Sequence, residues 1–193
     1  MIKQKAIKLL ITDFDGTLVD SFEANLKAYQ TVFEQFGLEL SEDKYRTCFG
    51  LRFDEFMDKM DITDIKTRID IKKNKSTIYP DYFSFLKVNK PLLNFIYSFK
   101  LMGGATAIAS TARRENLMNV LTYINAVDTF DLILAGEDVE NGKPNPEIYK
   151  KILQYFKIDS SMAIVFEDTV IGMEAAANAG INYIQINTKF YGN

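Results

Sequence analysis

The chain has 193 residues, with 23 Lys and Arg against 26 Asp and Glu for a formal charge of −3, one cysteine and no histidine. The missing imidazole excludes Ser-His and Cys-His relays and His-based metal sites, and a lone Cys48 can form neither an internal disulfide nor a thiolate cluster. Any catalysis must rest on carboxylates, hydroxyls, lysines or arginines, and the even charge balance offers no concentrated basic face for nucleic acid or an anionic membrane.

The N-terminal segment M-I-K-Q-K-A-I-K-L-L-I-T pairs lysines with apolar residues, but Lys8 interrupts the run and Asp13 closes it too early for a signal segment or a membrane span. A cytoplasmic protein is expected. Residues 7–12 read as the first of five short, largely continuous apolar strands, the others being 105–109, 132–135, 163–166 and 183–186. Such continuity suits a parallel sheet covered on both faces. Amphipathic stretches at 115–124, 146–156 and 170–179 alternate with the last four strands, and each is long enough for about three helical turns. The pattern predicts an α/β fold with a doubly wound parallel sheet.

Residues 13–104 separate the first two strands, far more than a crossover needs. Residues 20–90 predict an inserted α-helical subdomain and 91–101 the helix leading back, so the expected core is 1–19 plus 91–193. Within the insert, Lys72, Lys73 and Lys75 form a compact basic run that reads as a solvated helix face. Phe49, Phe53 and Phe56 fall at helical spacing and read as the insert's core.

Polar residues collect where the apolar runs end, which in open α/β sheets is the ligand-binding edge. D-F-D-G-T at 13–17 sets Asp13 and Asp15 two residues apart at a strand end, able to point the same way, before Gly16 turns the chain. Ser110 and Thr111 close the second run ahead of Arg113 and Arg114. Lys143 lies in a loop stiffened by Pro144 and Pro146, and Glu167 and Asp168 follow the fourth run. Taken singly, each segment also has an ordinary reading: an acidic turn, an N-cap at Ser110 or Thr111, a surface lysine, a helix cap at Asp168. Taken together, four carboxylates at one edge would repel unless a cation joined them, and all-oxygen ligands favour Mg²⁺.

In this order the segments resemble the haloacid dehalogenase-like (HAD) superfamily, in the branch of phosphoglycolate phosphatase and β-phosphoglucomutase. The resemblance spans the chain and rests on D-F-D-G-T-L-V-D-S at 13–21, G-K-P-N-P-E-I-Y at 142–149 and F-E-D-T-V-I-G-M-E-A-A-A-N-A-G at 166–180. It implies a Rossmann-like core with a helical cap formed by the insert. It further implies Asp13 as the nucleophile that becomes a phospho-aspartate and Asp15 as the acid/base. Mg²⁺ would be held by Asp13, the backbone carbonyl of Asp15 and Asp168, with Glu167 supporting. Ser110, with Thr111 beside it, and Lys143 would hold the phosphoryl group.

The loop C-F-G-L-R at 48–52 loosely resembles the cap's specificity loop, and Arg52 and Arg113 are the expected extra contacts to an anionic substrate. The carboxylate at Asp15 speaks against the carbon-acting dehalogenases. Ala24, Asn25 and Leu26 stand where the mutase branch commonly has a histidine, which favours a Mg²⁺-dependent phosphatase acting on a small phosphate ester. The alternatives are a phosphomutase and a non-enzymatic phospho-receiver or binding module.

Overall fold

The computed structural model describes residues 6–187. Five parallel strands form the central sheet: β1 (Leu9–Thr12), β4 (Ala105–Ala109), β5 (Leu132–Leu134), β6 (Ala163–Glu167) and β7 (Asn182–Gln185), in the order β5-β4-β1-β6-β7. β1 lies in the middle, with Leu9 in register with Ala105 on one side and Ala163 on the other. Chain order runs outward from β1 to β4 and β5, then restarts on the opposite side with β6. β1 is therefore the switch point of a doubly wound sheet, where a crevice opens at the carboxyl ends.

Alternation along β1 feeds two cores. Leu10 packs with Ile108, Leu117 and Phe166 on the face covered by α5 (Lys90–Leu101) and α6 (Arg114–Tyr123). Leu9 and Ile11 pack with Val165, Ile148, Ile152 and Ala175 on the face covered by α7 (Glu147–Phe156) and α8 (Val170–Asn178).

A helical cap is inserted between β1 and β4. It carries α1 (Phe22–Gln35), α2 (Glu42–Arg46), α3 (Phe53–Lys59) and α4 (Ile65–Ile78), followed by a 3-10 segment at Tyr79–Phe85. It has its own apolar cluster, which joins Val32, Phe33, Tyr45, Phe56, Met57 and Ile71. Phe49 and Phe53 pack against that cluster half-buried, but Phe49 lies in the turn before α3, so the three rings do not share one helix. A two-residue antiparallel ladder, β2 (Val19–Asp20) with β3 (Lys87–Val88), pairs the outgoing and returning chains. Strands this short leave no periodic signal in the sequence.

Asn89 locks that junction. Its backbone N–H donates to Leu18 O at 2.9 Å and its Nδ2 to Thr17 O at 3.1 Å, while its Oδ1 accepts from Leu92 N at 3.2 Å and so caps α5. One expectation is corrected at the last strand. β7 is an edge strand with Tyr183 46% and Ile184 45% exposed, not a buried one, because among the described residues only β6 pairs with it. The outermost parts of the expected core, residues 1–5 and 188–193, lie outside the described residues. No helix among the described residues is long and apolar enough to cross a membrane.

Candidate active site

The site is built where β1, β4 and β6 end together. Asp13, 7% exposed, follows β1 and donates its N–H to Phe166 O at 2.9 Å, which ties it to the neighbouring strand. The chain then doubles back, with Leu18 N and Val19 N both donating to Phe14 O at 3.0 Å. Gly16 carries the turn at φ 93°, and a Cβ there would lie 2.2 Å from Asp168 Oδ2. A glycine is required twice over, by conformation and by space. Thr17 Oγ1 donates to Asp168 Oδ1 at 2.7 Å, joining the first and last motifs.

Lys143 reaches into this cluster from the loop before α7. Its Nζ donates to Asp13 Oδ1 at 2.6 Å, Glu167 Oε1 at 2.6 Å and Ala109 O at 3.0 Å. All three ammonium protons are thus used, in a side chain 3% exposed. Burial alone would depress the Lys143 pKa, but Asp13, Tyr149 and Glu167 outweigh it and hold the group well above its ordinary value. Glu167, fully buried, accepts with Oε2 from Asp168 N at 3.0 Å, Thr169 N at 3.0 Å and Thr169 Oγ1 at 2.9 Å, so its carboxylate sits at the N-terminus of α8.

Asp13, Glu167 and Asp168 each offer one oxygen within 4.8 Å of the others. Burial raises Asp13 well above the usual carboxylate range, with Glu167 and Asp168 adding to the rise and Lys143 opposing it. Burial likewise raises Asp168 to about 6, against the Thr17 hydrogen bond. One lysine among three clustered carboxylates leaves excess negative charge in a poorly solvated place.

Residues 10–186 match the family model of the haloacid dehalogenase-like hydrolases. The chain belongs to that family. A phosphorylated carbohydrates phosphatase of Thermotoga maritima is 30% identical over 189 residues, covering 92% of this chain and 84% of the relative. A validoxylamine A 7'-phosphate phosphatase of Streptomyces hygroscopicus is 26% identical, covering 94% and 86%. Among solved structures, CbbY from Rhodobacter sphaeroides in complex with phosphate superposes with a TM-score of 0.84 at 23% identity, covering 92% and 84%, a likeness of fold. Within the haloacid dehalogenase-like family, the chain is a phosphohydrolase.

Asp15 lies outside the Asp13, Glu167 and Asp168 oxygen cluster and lines the space beneath the cap. Ser21 Oγ donates to its Oδ1. Burial raises its pKa, opposed by the Ser21 hydrogen bond and the charge of Lys75. It lines a narrow cavity of about 80 Å³ between core and cap, together with Asn25, Tyr29, Lys75, Tyr79 and Arg113.

Lys75 corrects the expectation of a solvated basic face. Lys73 is exposed and Lys72 half-buried, but Lys75 is only 2% exposed. Its Nζ donates to Asn25 Oδ1 at 2.7 Å and lies 3.3 Å from the centre of the Tyr79 ring. Asn25 Nδ2 donates to Ser21 O at 3.1 Å, so polar contacts run from Lys75 through Asn25 and Ser21 to Asp15. Burial pulls the Lys75 pKa down to about 7. The available signal was its place four residues after Ile71 on one face of α4 and four before Tyr79, the apolar ring that follows the helix.

The remaining expected residues divide. Ser110, 1% exposed at the end of β4, accepts with Oγ from Ala112 N at 3.0 Å. Thr111 Oγ1 donates instead to Gly50 O of the cap at 3.1 Å. Arg113 Nη1 donates to Ser76 Oγ at 2.6 Å and Lys72 O at 3.3 Å, both on α4, while the residue lines the cavity. Arg52 bonds to core carbonyls at Gly136, Val139 and Glu140.

Proposed function

We propose that the chain is a Mg²⁺-dependent phosphatase that hydrolyses a small-metabolite phosphomonoester through a phospho-aspartate on Asp13. The observation that carries this reading is the Lys143 ammonium seated between Asp13 and Glu167, with Asp168 alongside. The clustered oxygens and the raised pKa values of Asp13 and Asp168 make a hard divalent cation the natural counter-charge. Asp13, the backbone carbonyl of Asp15 and Asp168 would hold the ion, and Glu167 supports them through Lys143 and the Asp168 amide. When bound, Mg²⁺ supplies charge neutralisation at the phosphoryl oxygens.

In the first step Asp13 attacks phosphorus and the bond to the leaving oxygen breaks, with the Asp15 proton passing to that oxygen. In the second, Asp15 takes a proton from water as the water attacks the phospho-aspartate, which releases phosphate and restores Asp13. The raised pKa of Asp15 suits a group that must first carry a proton and then accept one. Lys143, exchanging its bond to Asp13 Oδ1 for one to a phosphoryl oxygen, and Ser110 would hold the phosphoryl group against the charge of the attacking carboxylate. Residues 20–90 form the cap, and Lys75 and Arg113 line the cavity between cap and core, where they would present cations to the leaving group. The substrate is a soluble phosphate ester, and the protein works in the cytoplasm.

Phosphate release from a panel of sugar and organic-acid phosphates with Mg²⁺ tests this directly. Failure on every ester, or full turnover by Asp13→Asn, overturns it. Isomerisation of a sugar phosphate without net phosphate release decides for a mutase.

A further inference from the structure

We propose that Arg52, in the cap, is a positioning residue that seats the loop carrying Lys143. Arg52 Nη1 donates to Glu140 O at 2.9 Å, and its Nη2 donates to Gly136 O at 2.8 Å and Val139 O at 3.3 Å. All three carbonyls belong to the core segment between β5 and α7 that leads into Lys143. The guanidinium fork is thereby committed to carbonyl oxygens, and the same N–H groups cannot simultaneously serve a substrate anion.

The seat is shaped for the side chain. A Cβ at Gly142 would lie 2.9 Å from Arg52 Cδ and 3.6 Å from its Cγ, so the residue beside Lys143 must be small for the arginine to lie across the loop. The adjoining cap residue Gly50 accepts from Thr111 Oγ1 at 3.1 Å, which places the whole 50–52 segment on the core.

The loop is gripped from its other side by Glu147 of α7. The Glu147 carboxylate accepts from Glu140 N at 3.0 Å, Asn141 N at 2.9 Å and Asn141 Nδ2 at 3.1 Å. Residue 140 is therefore held through its N–H by the core and through its C=O by the cap. Glu147 holds the loop from within the core, whereas Arg52 completes the grip from the cap. Lys143, two residues beyond Asn141, then reaches Asp13 with its loop fully clamped. The catalytic consequence rests on the phosphatase reading, but the contact itself does not.

Two variants separate this role from direct substrate contact. Arg52→Gln removes the charge, whereas Gly142→Ala keeps Arg52 intact and pushes it off its seat. Amide hydrogen exchange over residues 136–142, followed by mass spectrometry, reads the contact without any substrate. Both variants are expected to exchange several-fold faster there than wild type, while Arg46→Ala, on the cap surface, does not. With p-nitrophenyl phosphate, whose leaving group carries no second anion, both are expected to lower kcat about tenfold with little change in KM. Wild-type exchange and turnover in Gly142→Ala would overturn the proposal. So would an Arg52→Gln effect confined to KM for esters bearing a second anion. A wild-type protein that hydrolyses no ester removes the phosphatase reading, and the exchange comparison still decides the contact.

Discussion

A methyl group at Gly172 would lie 1.8 Å from Glu167 Oε1, so the third residue of α8 is the floor on which the buried carboxylate rests. Glu167 can meet Lys143 and the Asp168 and Thr169 amides only because that floor is flat. Gly172→Ala gains about 0.5–1 kcal/mol in helix propensity. It also breaks a buried ion pair, at a cost of roughly 3–5 kcal/mol, and the second effect wins. Lower Tm and a roughly hundredfold fall in kcat/KM are expected from thermal unfolding and steady-state kinetics. Unchanged values for both would show that Glu167 does not depend on this space.

Asp13→Asn keeps the shape of the proposed nucleophile and removes its charge. Turnover is expected to fall by at least about 10³-fold, with no phosphate trapped on the protein after an acid quench. Asp15→Asn cannot supply the leaving-group proton, and it is expected to slow phosphate esters with poor leaving groups far more than p-nitrophenyl phosphate. A uniform loss across leaving groups would remove Asp15 as the proton donor.

Lys75 is held at a cost in stability. Its folded pKa of about 7 lies below the ordinary 10.5, so as pH falls from 10.5 the unfolded chain takes the proton first and folding weakens until about pH 7. The penalty at neutral pH is on the order of a few kcal/mol. Lys75→Met is therefore expected to raise Tm by roughly 5 °C or more at pH 7, with the advantage narrowing as pH rises toward 10. The same variant is expected to lower kcat/KM, because the cavity loses its buried cation. A destabilised Lys75→Met would mean that the lysine stabilises the cap.

If Mg²⁺ occupies the carboxylate cluster as proposed, it is expected to raise Tm, because it would bind the folded chain. At a hundredfold excess over Kd the stabilisation is about 2.7 kcal/mol, or roughly 5–10 °C for a chain of this size. Asp168→Asn is expected to abolish the shift. Without metal, the raised pKa of Asp168, about 6, adds stability at low pH that is lost as pH rises through that value. Protons and metal then compete, so the Mg²⁺-induced shift in wild type is expected to shrink below about pH 6. An equal shift in Asp168→Asn would place the ion elsewhere.

Much of this site was legible because its chemistry is local. Asp13, Asp15, Ser110 and Asp168 each follow an apolar run, and a run that ends in a charge marks a strand end whatever lies elsewhere in the chain. Lys143 was marked by the two prolines that follow it. The contacts of Lys75, Gly172 and Arg52 were not visible in the same way. Lys75 sits in a run of lysines, Gly172 in a helix of small residues, and Arg52 in a loop whose sequence suits either an anion or a set of carbonyls.

The sequence alone determined the alternation of strands and helices, the long insert and the absence of imidazole chemistry, because apolar period and composition are properties of a few residues at a time. Tertiary structure decided which charges meet. Lys143 and Asp13 are 130 positions apart and Arg52 and Glu140 are 88 apart, so only the closing of the sheet and the seating of the cap bring them together. Burial then sets what each group can do, since the same lysine is a solvated cation on an open helix face and a depressed amine inside an aromatic cavity.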